Sequence, residues 1–364
     1  MPRIVLTGGG TAGHVTPNLA LIPWLQRDGW EVHYIGSYSG IERELVEPIP
    51  GVAFHPIASG KLRRYLDLKN MTDSFRVVKG TWQATGLLRK IKPDVIFSKG
   101  GFVSVPVVLG GKLCRVPVVI HESDRSSGLA NRIAIPLCVK LCATFPEAAE
   151  DAGEKGIHTG PPIRPELFQG SVQTGRELCG FQSGLPVLLV MGGSMGAQAV
   201  NDMMDACIHR LLRMFQVVHI RGKENLNSAL DGLAGYKQFE YVGEELPHLL
   251  ALADVVCSRA GANAIWEFAA LHKPLLLVPL PLSASRGDQI ENARSFEKAG
   301  YARVLLQEEA TPDTLCDSIR DTWAGREGLV RAQSASFAAN GLDQLYKVIL
   351  ASAKKRPEAA AVSK

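Results

Sequence analysis

Short, almost uniformly apolar runs recur along the chain, separated by longer stretches in which apolar residues return every three or four positions. In the first half the runs at 4–7, 31–35, 93–98 and 116–121 read as strands, and in the second those at 186–191, 216–220, 255–258 and 275–279 do. Apolar runs without strict alternation fit strands covered on both faces, as in a parallel sheet. Residues 14–27 carry helical spacing, 103–112 are apolar between two strands, and further helical stretches divide the strands of the second half. The rhythm predicts an α/β chain of two Rossmann-like, doubly wound parallel-sheet domains facing a cleft. A length of 364 residues supports two cores rather than one. The boundary is expected after Gly160-Pro161-Pro162-Ile163-Arg164, where proline punctuates the chain ahead of a polar stretch at 169–184. That gives domains 1–164 and 165–350, with a charged, alanine-rich tail at 351–364 expected to fray.

Two glycine-rich turns follow apolar runs half a chain apart, Gly8-Gly9-Gly10-Thr11-Ala12-Gly13-His14 and Gly192-Gly193-Ser194-Met195-Gly196. Glycines at a strand-to-helix turn let bare N–H groups approach a phosphate, where the helix dipole adds partial positive charge. Two such turns suggest two ligands in one cleft. The first also fits G-x-G-x-x-G, the dinucleotide fingerprint, but an oxidoreductase wants an acidic residue at the end of the next strand. Here that strand ends in Gly36-Ser37, and Glu31 lies at its other end. Neither turn continues into the Gly-Lys-Ser/Thr of a Walker loop.

Composition sharpens this picture in three respects. With 46% hydrophobic and 21% charged residues the chain is globular, and no run reaches the ~18–20 apolar residues that span a bilayer. Met1-Pro2-Arg3 leads straight into a strand rather than a signal peptide. The seven cysteines stand in apolar contexts without C-x-x-C pairing and read as reduced core residues. The net charge of +4 is unevenly placed: residues 1–165 hold 20 Lys and Arg against 14 Asp and Glu, leaving 20 against 22 for the rest. The excess gathers at 61–92, where nine cations, among them Lys61, Arg63, Arg64 and Lys69, interleave with Leu62, Tyr65, Phe75, Val78 and Trp82. Such a stretch is either an interfacial segment for an anionic membrane surface or an amphipathic helix with its apolar side in the core. No nucleic-acid-binding fold accompanies it, and no nucleic acid is expected as a partner.

Several polar residues fall at strand ends, where α/β sheets bind ligands. His14 would stand on the opening turn of a helix, whose dipole keeps imidazole neutral; it is either a structural hydrogen-bonding residue or a general base. Glu122 and Asp124, in His121-Glu122-Ser123-Asp124, serve either as loop caps or as a base and sugar-hydroxyl acceptors. Without a D-x-D triplet, metal is not indicated. In the second half, Ser258–Glu267 joins a strand to a helix and places Glu267 one turn in, within reach of a ribose diol. The stretch 285–292, with Gln289, repeats the arrangement.

Taken together, GGGTAGHVTP at 8–17, KGGFVSVP at 99–106, the HESD at 121–124, the GPPIR at 160–164, the second glycine turn, 258–267 and 288–293 resemble, in order and spacing, the MurG family. These are N-acetylglucosaminyltransferases that complete the lipid-linked disaccharide of peptidoglycan, and the resemblance covers about residues 1–350. It implies a glycosyltransferase of the B type, UDP-N-acetylglucosamine as donor, and undecaprenyl-diphosphate-linked muramoyl pentapeptide as acceptor. It implies no cofactor and no metal, and a peripheral place on the cytoplasmic side of the bacterial cell membrane. Carried onto this chain, Arg164, Ser194 and Met195 face the donor diphosphate, Gly243 the uracil, Glu267 the ribose, and Asn263, Gln289 and Asp124 the rest of the sugar nucleotide. Thr11, Ala12 and Gly13 close over the donor, while Gly9, Gly10, Gly100 and Gly101 cradle the acceptor diphosphate. His14, with Glu122, is the implied base for an inverting displacement. Many relatives carry Asn at the place of Asp124 and Gln at that of Asp288. A sugar-nucleotide epimerase, an oxidoreductase and a membrane scaffold are the rival readings.

Overall fold

The computed structural model describes residues 1–60, 69–182, 184–192, 197–336 and 341–354, with side chains described for all of these except 12 and 69–74. The chain forms two compact units, one of residues 1–123, 127–162 and 341 onward, the other of 124–126 and 163–340.

The first unit runs β1 (Arg3–Thr7), α1 (Thr16–Arg27), β2 (Glu31–Ser37), α2 (Ile41–Val46), β3 (Val52–Ile57), α3 (Lys69–Ile91), β4 (Val95–Ser98), α4 (Ser104–Leu113), β5 (Val118–Glu122), α5 (Leu129–Ala134), β6 (Lys140–Ala143), α6 (Pro146–Asp151) and β7 (Gly156–His158). Its seven strands are all parallel in the order β3-β2-β1-β4-β5-β6-β7. The second unit runs α7 (Val172–Cys179), β8 (Val187–Met191), α8 (Gln198–Leu211), β9 (Gln216–Ile220), β10 (Tyr236–Phe239), α9 (Leu246–Leu252), β11 (Val255–Ser258), α10 (Ala262–Ala270), β12 (Leu275–Leu277), α11 (Asp288–Lys298), β13 (Ala302–Val304), α12 (Pro312–Ala324) and α13 (Arg326–Ser336). Six parallel strands follow the order β10-β9-β8-β11-β12-β13. Both sheets are doubly wound, because strand order reverses between β1 and β4 in one and between β8 and β11 in the other.

A last helix, α14 (Gly341–Ser352), returns to the first unit, where the sequence reading carries the second domain on to residue 350. Leu342, Leu345, Tyr346 and Ile349 recur at helical spacing and are buried among Ile4, Leu25, Tyr34 and Phe97 of the first core. Trp24 meets the Tyr346 ring edge-on at 5.6 Å, and the Tyr346 hydroxyl donates to Asp28 at 2.7 Å. Residues 355–364, most of the tail expected to fray, lie outside the described residues. Leu345 is fully buried, so Leu345→Ala is expected to destabilise the first unit by about 2–5 kcal/mol, read as a lower urea midpoint. An unchanged midpoint would mean that α14 is dispensable to that core.

The helix expected over 14–27 is split. A short 3-10 turn spans Ala12–His14, and α1 starts only at Thr16, with Pro17 in its first turn. Proline's fixed φ favours that position, so His14 stands ahead of the helix rather than on its opening turn. All seven cysteines are free; six are buried and Cys114 is half-buried.

Candidate functional site

In the first unit the reversal of strand order places two loops side by side. The first glycine turn leaves β1, and Lys99-Gly100-Gly101 leaves β4, with Lys99 N–H donating to Thr7 O at 2.9 Å. A Cβ on Gly101 would collide with the Gly9 carbonyl, and φ of 79° is itself a glycine conformation, so the two backbones meet only because position 101 is glycine. The loop containing Gly9, Gly10 and Thr11 is held from beneath: the Tyr34 hydroxyl donates to Gly8 O at 2.6 Å, and Asn18 donates to Tyr34. Burial keeps the Tyr34 phenol protonated by pushing its pKa far up. His14 is half-buried, and its Nδ1 pairs with Thr11 Oγ1 at 2.9 Å, which fixes the ring.

Glu122 ends β5, buried, with Oε2 accepting from Gly128 N at 3.1 Å and Asn131 Nδ2 at 2.8 Å. The carboxylate therefore orders the turn into α5. Asn131 Oδ1 would sit 3.2 Å from a Cβ on Gly100, so Asn131 links this corner to the Lys99–Gly101 loop. His121 is fully buried and held neutral, its pKa lowered by burial and then by the Lys99 charge.

In the second unit, Arg164 clamps Glu267 of α10 through two bonds, Nε to Oε1 at 2.9 Å and Nη2 to Oε2 at 3.0 Å. Burial raises the Glu267 pKa, with Arg164 pulling against it; burial also works against the Arg164 cation, but its bonds to Glu267 prevail and raise its pKa. A cavity of about 470 Å³ opens beside the clamp, lined by Arg164, Leu167, Gly243, Leu246 and Pro247 among others. Gly243 N–H donates to the Glu245 carboxylate at 2.9 Å, which lowers the Glu245 pKa. At the far strand ends Gln289 of α11 accepts through Oε1 from Ala260 N at 3.2 Å and Leu280 N at 3.1 Å, tying together the loops after β11 and β12.

Asp124 stands with this unit. Asn292 of α11 donates to Asp124 Oδ1 at 3.0 Å and accepts from Arg125 N at 2.9 Å, and Arg286 lies 4.0 Å from Asp124 and 3.7 Å from Asp288. The arginine offsets both carboxylates. Asn263 opens α10. Ser194 and Met195 lie outside the described residues, and Ala12 and Gly13 are placed only by backbone, in the short turn before α1. Asn18, Tyr34 and Asn131 are not singled out in the sequence, and Asn292 only as part of the stretch 285–292; each is buried and bonds to groups outside its own element.

The chain matches the Glycosyltransferase family 28 N-terminal domain over residues 4–141 and the Glycosyltransferase family 28 C-terminal domain over 187–347. It is 54% identical over 348 residues to a UDP-N-acetylglucosamine-N-acetylmuramyl-(pentapeptide) pyrophosphoryl-undecaprenol N-acetylglucosamine transferase of Geobacillus thermodenitrificans, covering 95% of this chain and 98% of that protein. The transferase of the same name from Clostridium kluyveri is 51% identical over 350 residues, covering 96% and 99%. Among solved structures, MurG of Acinetobacter baumannii superimposes with a TM-score of 0.75 at 24% identity, covering 96% of this chain and all of that one. The calicheamicin glycosyltransferase CalG4 does so at 0.70 and 16%, covering 96% and 98%. At these identities the two structures share the fold.

Proposed function

The chain belongs to glycosyltransferase family 28, among the MurG transferases, and from that premise we propose that it moves N-acetylglucosamine from UDP-N-acetylglucosamine to undecaprenyl-diphosphate-linked muramoyl pentapeptide. The observation that carries the donor half is the cavity of the second unit. Gly243 lines it beside Arg164, and Arg164 in turn clamps Glu267, a pairing suited to a ribose and its phosphates. Glu267 receives the ribose diol, Arg164 faces the diphosphate together with Ser194 and Met195, and Gln289 offers its Nε2 amide to a sugar hydroxyl. Asn263 and Asp124 complete the donor contacts. The acceptor diphosphate lies along Gly9, Gly10, Gly100 and Gly101, where no side chain keeps it from the backbone of the two loops.

His14 takes the proton from the acceptor's sugar hydroxyl as that oxygen attacks the anomeric carbon from the face opposite UDP, and the configuration inverts. Its Thr11 partner, paired with Nδ1, orients the ring. Glu122 supports the site by ordering the β5 corner. The stereochemistry is the test: labelled donor and acceptor should give a lipid-linked disaccharide with a β linkage, and an α linkage would overturn the inverting route.

The acceptor's undecaprenyl chain requires contact with a membrane. Among the described residues no helix is long and apolar enough to cross one. On α3, Ala84, Leu88 and Ile91 are buried, whereas Phe75, Val78 and Trp82 are 73%, 57% and 76% exposed at helical spacing, with Arg76, Lys79, Arg89 and Lys90 along the same helix. Apolar side chains turned outward among cations favour the interfacial reading over a core-facing helix, and support peripheral attachment to anionic lipid on the cytoplasmic face. Residues 61–68, the rest of that basic stretch, lie outside the described residues. The double variant F75S/W82S is expected to lower partition onto anionic vesicles by on the order of tenfold or more, with turnover of a short-chain soluble acceptor retained. Unchanged partition in a vesicle-flotation assay would remove α3 as the contact.

A further inference from the structure

A buried carboxylate beneath the first glycine turn has no part in the chemistry above. Glu42, in the first turn of α2, is fully buried, and both oxygens are engaged. Oε1 accepts from the Ser37 N–H at 2.9 Å and from the Ser37 hydroxyl; Oε2 accepts from Gly10 N–H at 3.1 Å. The surrounding chain is shaped to admit it: a Cβ on Gly9 or on Gly40 would collide with the carboxylate, and one on Gly36 would lie 3.0 Å from Glu42 Cγ. Gly10, with φ of 87°, turns its N–H down to the carboxylate in a conformation that side-chain-bearing residues rarely adopt.

We propose that Glu42 is a positioning residue for the acceptor loop, an inference that rests on assigning that loop to the acceptor diphosphate. Tyr34 grips the loop at Gly8 O and Glu42 grips it at Gly10 N, two residues further on. Between and beyond these two points the loop must present its remaining N–H groups upward and carry Thr11, whose hydroxyl orients His14. All three groups bonded to Glu42 are donors or act as donors, so the site calls for an acceptor on both oxygens, which a carboxylate supplies and an amide does not. Glutamine would set an NH₂ against an N–H and release one end of the loop.

The test compares wild type, E42Q and G40A in steady-state transfer, with a short-chain lipid-linked muramoyl pentapeptide and UDP-N-acetylglucosamine varied in turn. Melting temperature and the Kd for UDP are measured on the same preparations. G40A reaches the carboxylate from the other side without altering it, since its new methyl displaces Glu42. The expected result is a loss of about tenfold or more in kcat/KM for the acceptor in both variants, with UDP affinity within about twofold of wild type. Acceptor kinetics unchanged in folded E42Q would overturn the role of Glu42 alone. A parallel fall in melting temperature, UDP affinity and acceptor kinetics would also overturn it, as the mark of a merely structural residue. Wild-type protein without acceptor-dependent turnover would overturn the reading of the loop itself, and the Glu42 assignment with it.

Discussion

Alanine at position 14 will lower kcat for transfer by at least ~100-fold while leaving the Kd for UDP-N-acetylglucosamine within about twofold of wild type. General-base assistance contributes on the order of 10²–10⁴ in rate, and no other imidazole stands on the glycine turn. The split between kcat and donor affinity follows from where His14 sits: it belongs to the first unit, while Arg164, Glu267, Gly243 and Gln289 belong to the second. Thr11→Val, which removes the hydroxyl at 2.9 Å from Nδ1, should cost less than H14A, because the ring remains and loses only its orientation. Equal turnover by wild type and H14A, measured in single-turnover mode, would transfer the proton to another group.

The second large effect is expected at the clamp. Glu267→Gln keeps the shape but removes the charge that both Arg164 and a ribose diol would meet. Hydrogen bonds to a charged group contribute about 1.5–3 kcal/mol each, so UDP affinity should fall by roughly 10- to 150-fold. Calorimetric titration with UDP reads this directly; unaltered affinity would remove Glu267 from the nucleotide site. The pH dependence has a definite sign. Burial holds the Glu267 pKa above the ordinary glutamate value, so on acidification this carboxylate takes up its proton earlier than an exposed one does. UDP affinity should therefore begin to fall at a pH above the ordinary glutamate pKa. The folding contribution runs the other way: in the window between the ordinary and the raised pKa the folded chain binds more protons than the unfolded one, so this group adds stability as pH falls. E267Q should lose both dependences.

Much of the fold is legible because the central strands are nearly pure apolar runs. Residues 4–7, 216–220 and 255–258 stand out against their surroundings and emerge as β1, β9 and β11 within a residue. The edges do not stand out. β3 contains His55 and Pro56, β7 is Gly-Ile-His, and β10 is Tyr-Lys-Gln-Phe, since an edge strand meets solvent and can carry polar residues or a proline. The return of α14 to the first core is invisible to local periodicity, which reports that a helix is amphipathic and not which core receives its apolar side.

Among the site residues, glycines and charged side chains at strand ends announce themselves by position, because the doubly wound topology makes those ends the binding edge. The structure adds what the sequence cannot order in space: that Glu267 is buried against Arg164, that Glu122 is engaged with α5, and that Asp124 is accompanied by Arg286. Buried amides and carboxylates such as Asn131, Asn292 and Glu42 are the least legible class. Their partners, backbone and side chain alike, lie in other loops and elements, as Gly10 does for Glu42 and Asp124 for Asn292, and no motif spacing encodes such a bond.

The central claim is that sugar transfer depends on the lipid-linked acceptor. The measurement that tests it most directly is UDP release from UDP-N-acetylglucosamine by folded wild-type protein, with and without a short-chain lipid-linked muramoyl pentapeptide. Release that requires the acceptor, matched one for one by a lipid-linked disaccharide, is the predicted result. Release without acceptor, or none with it, would contradict the assignment.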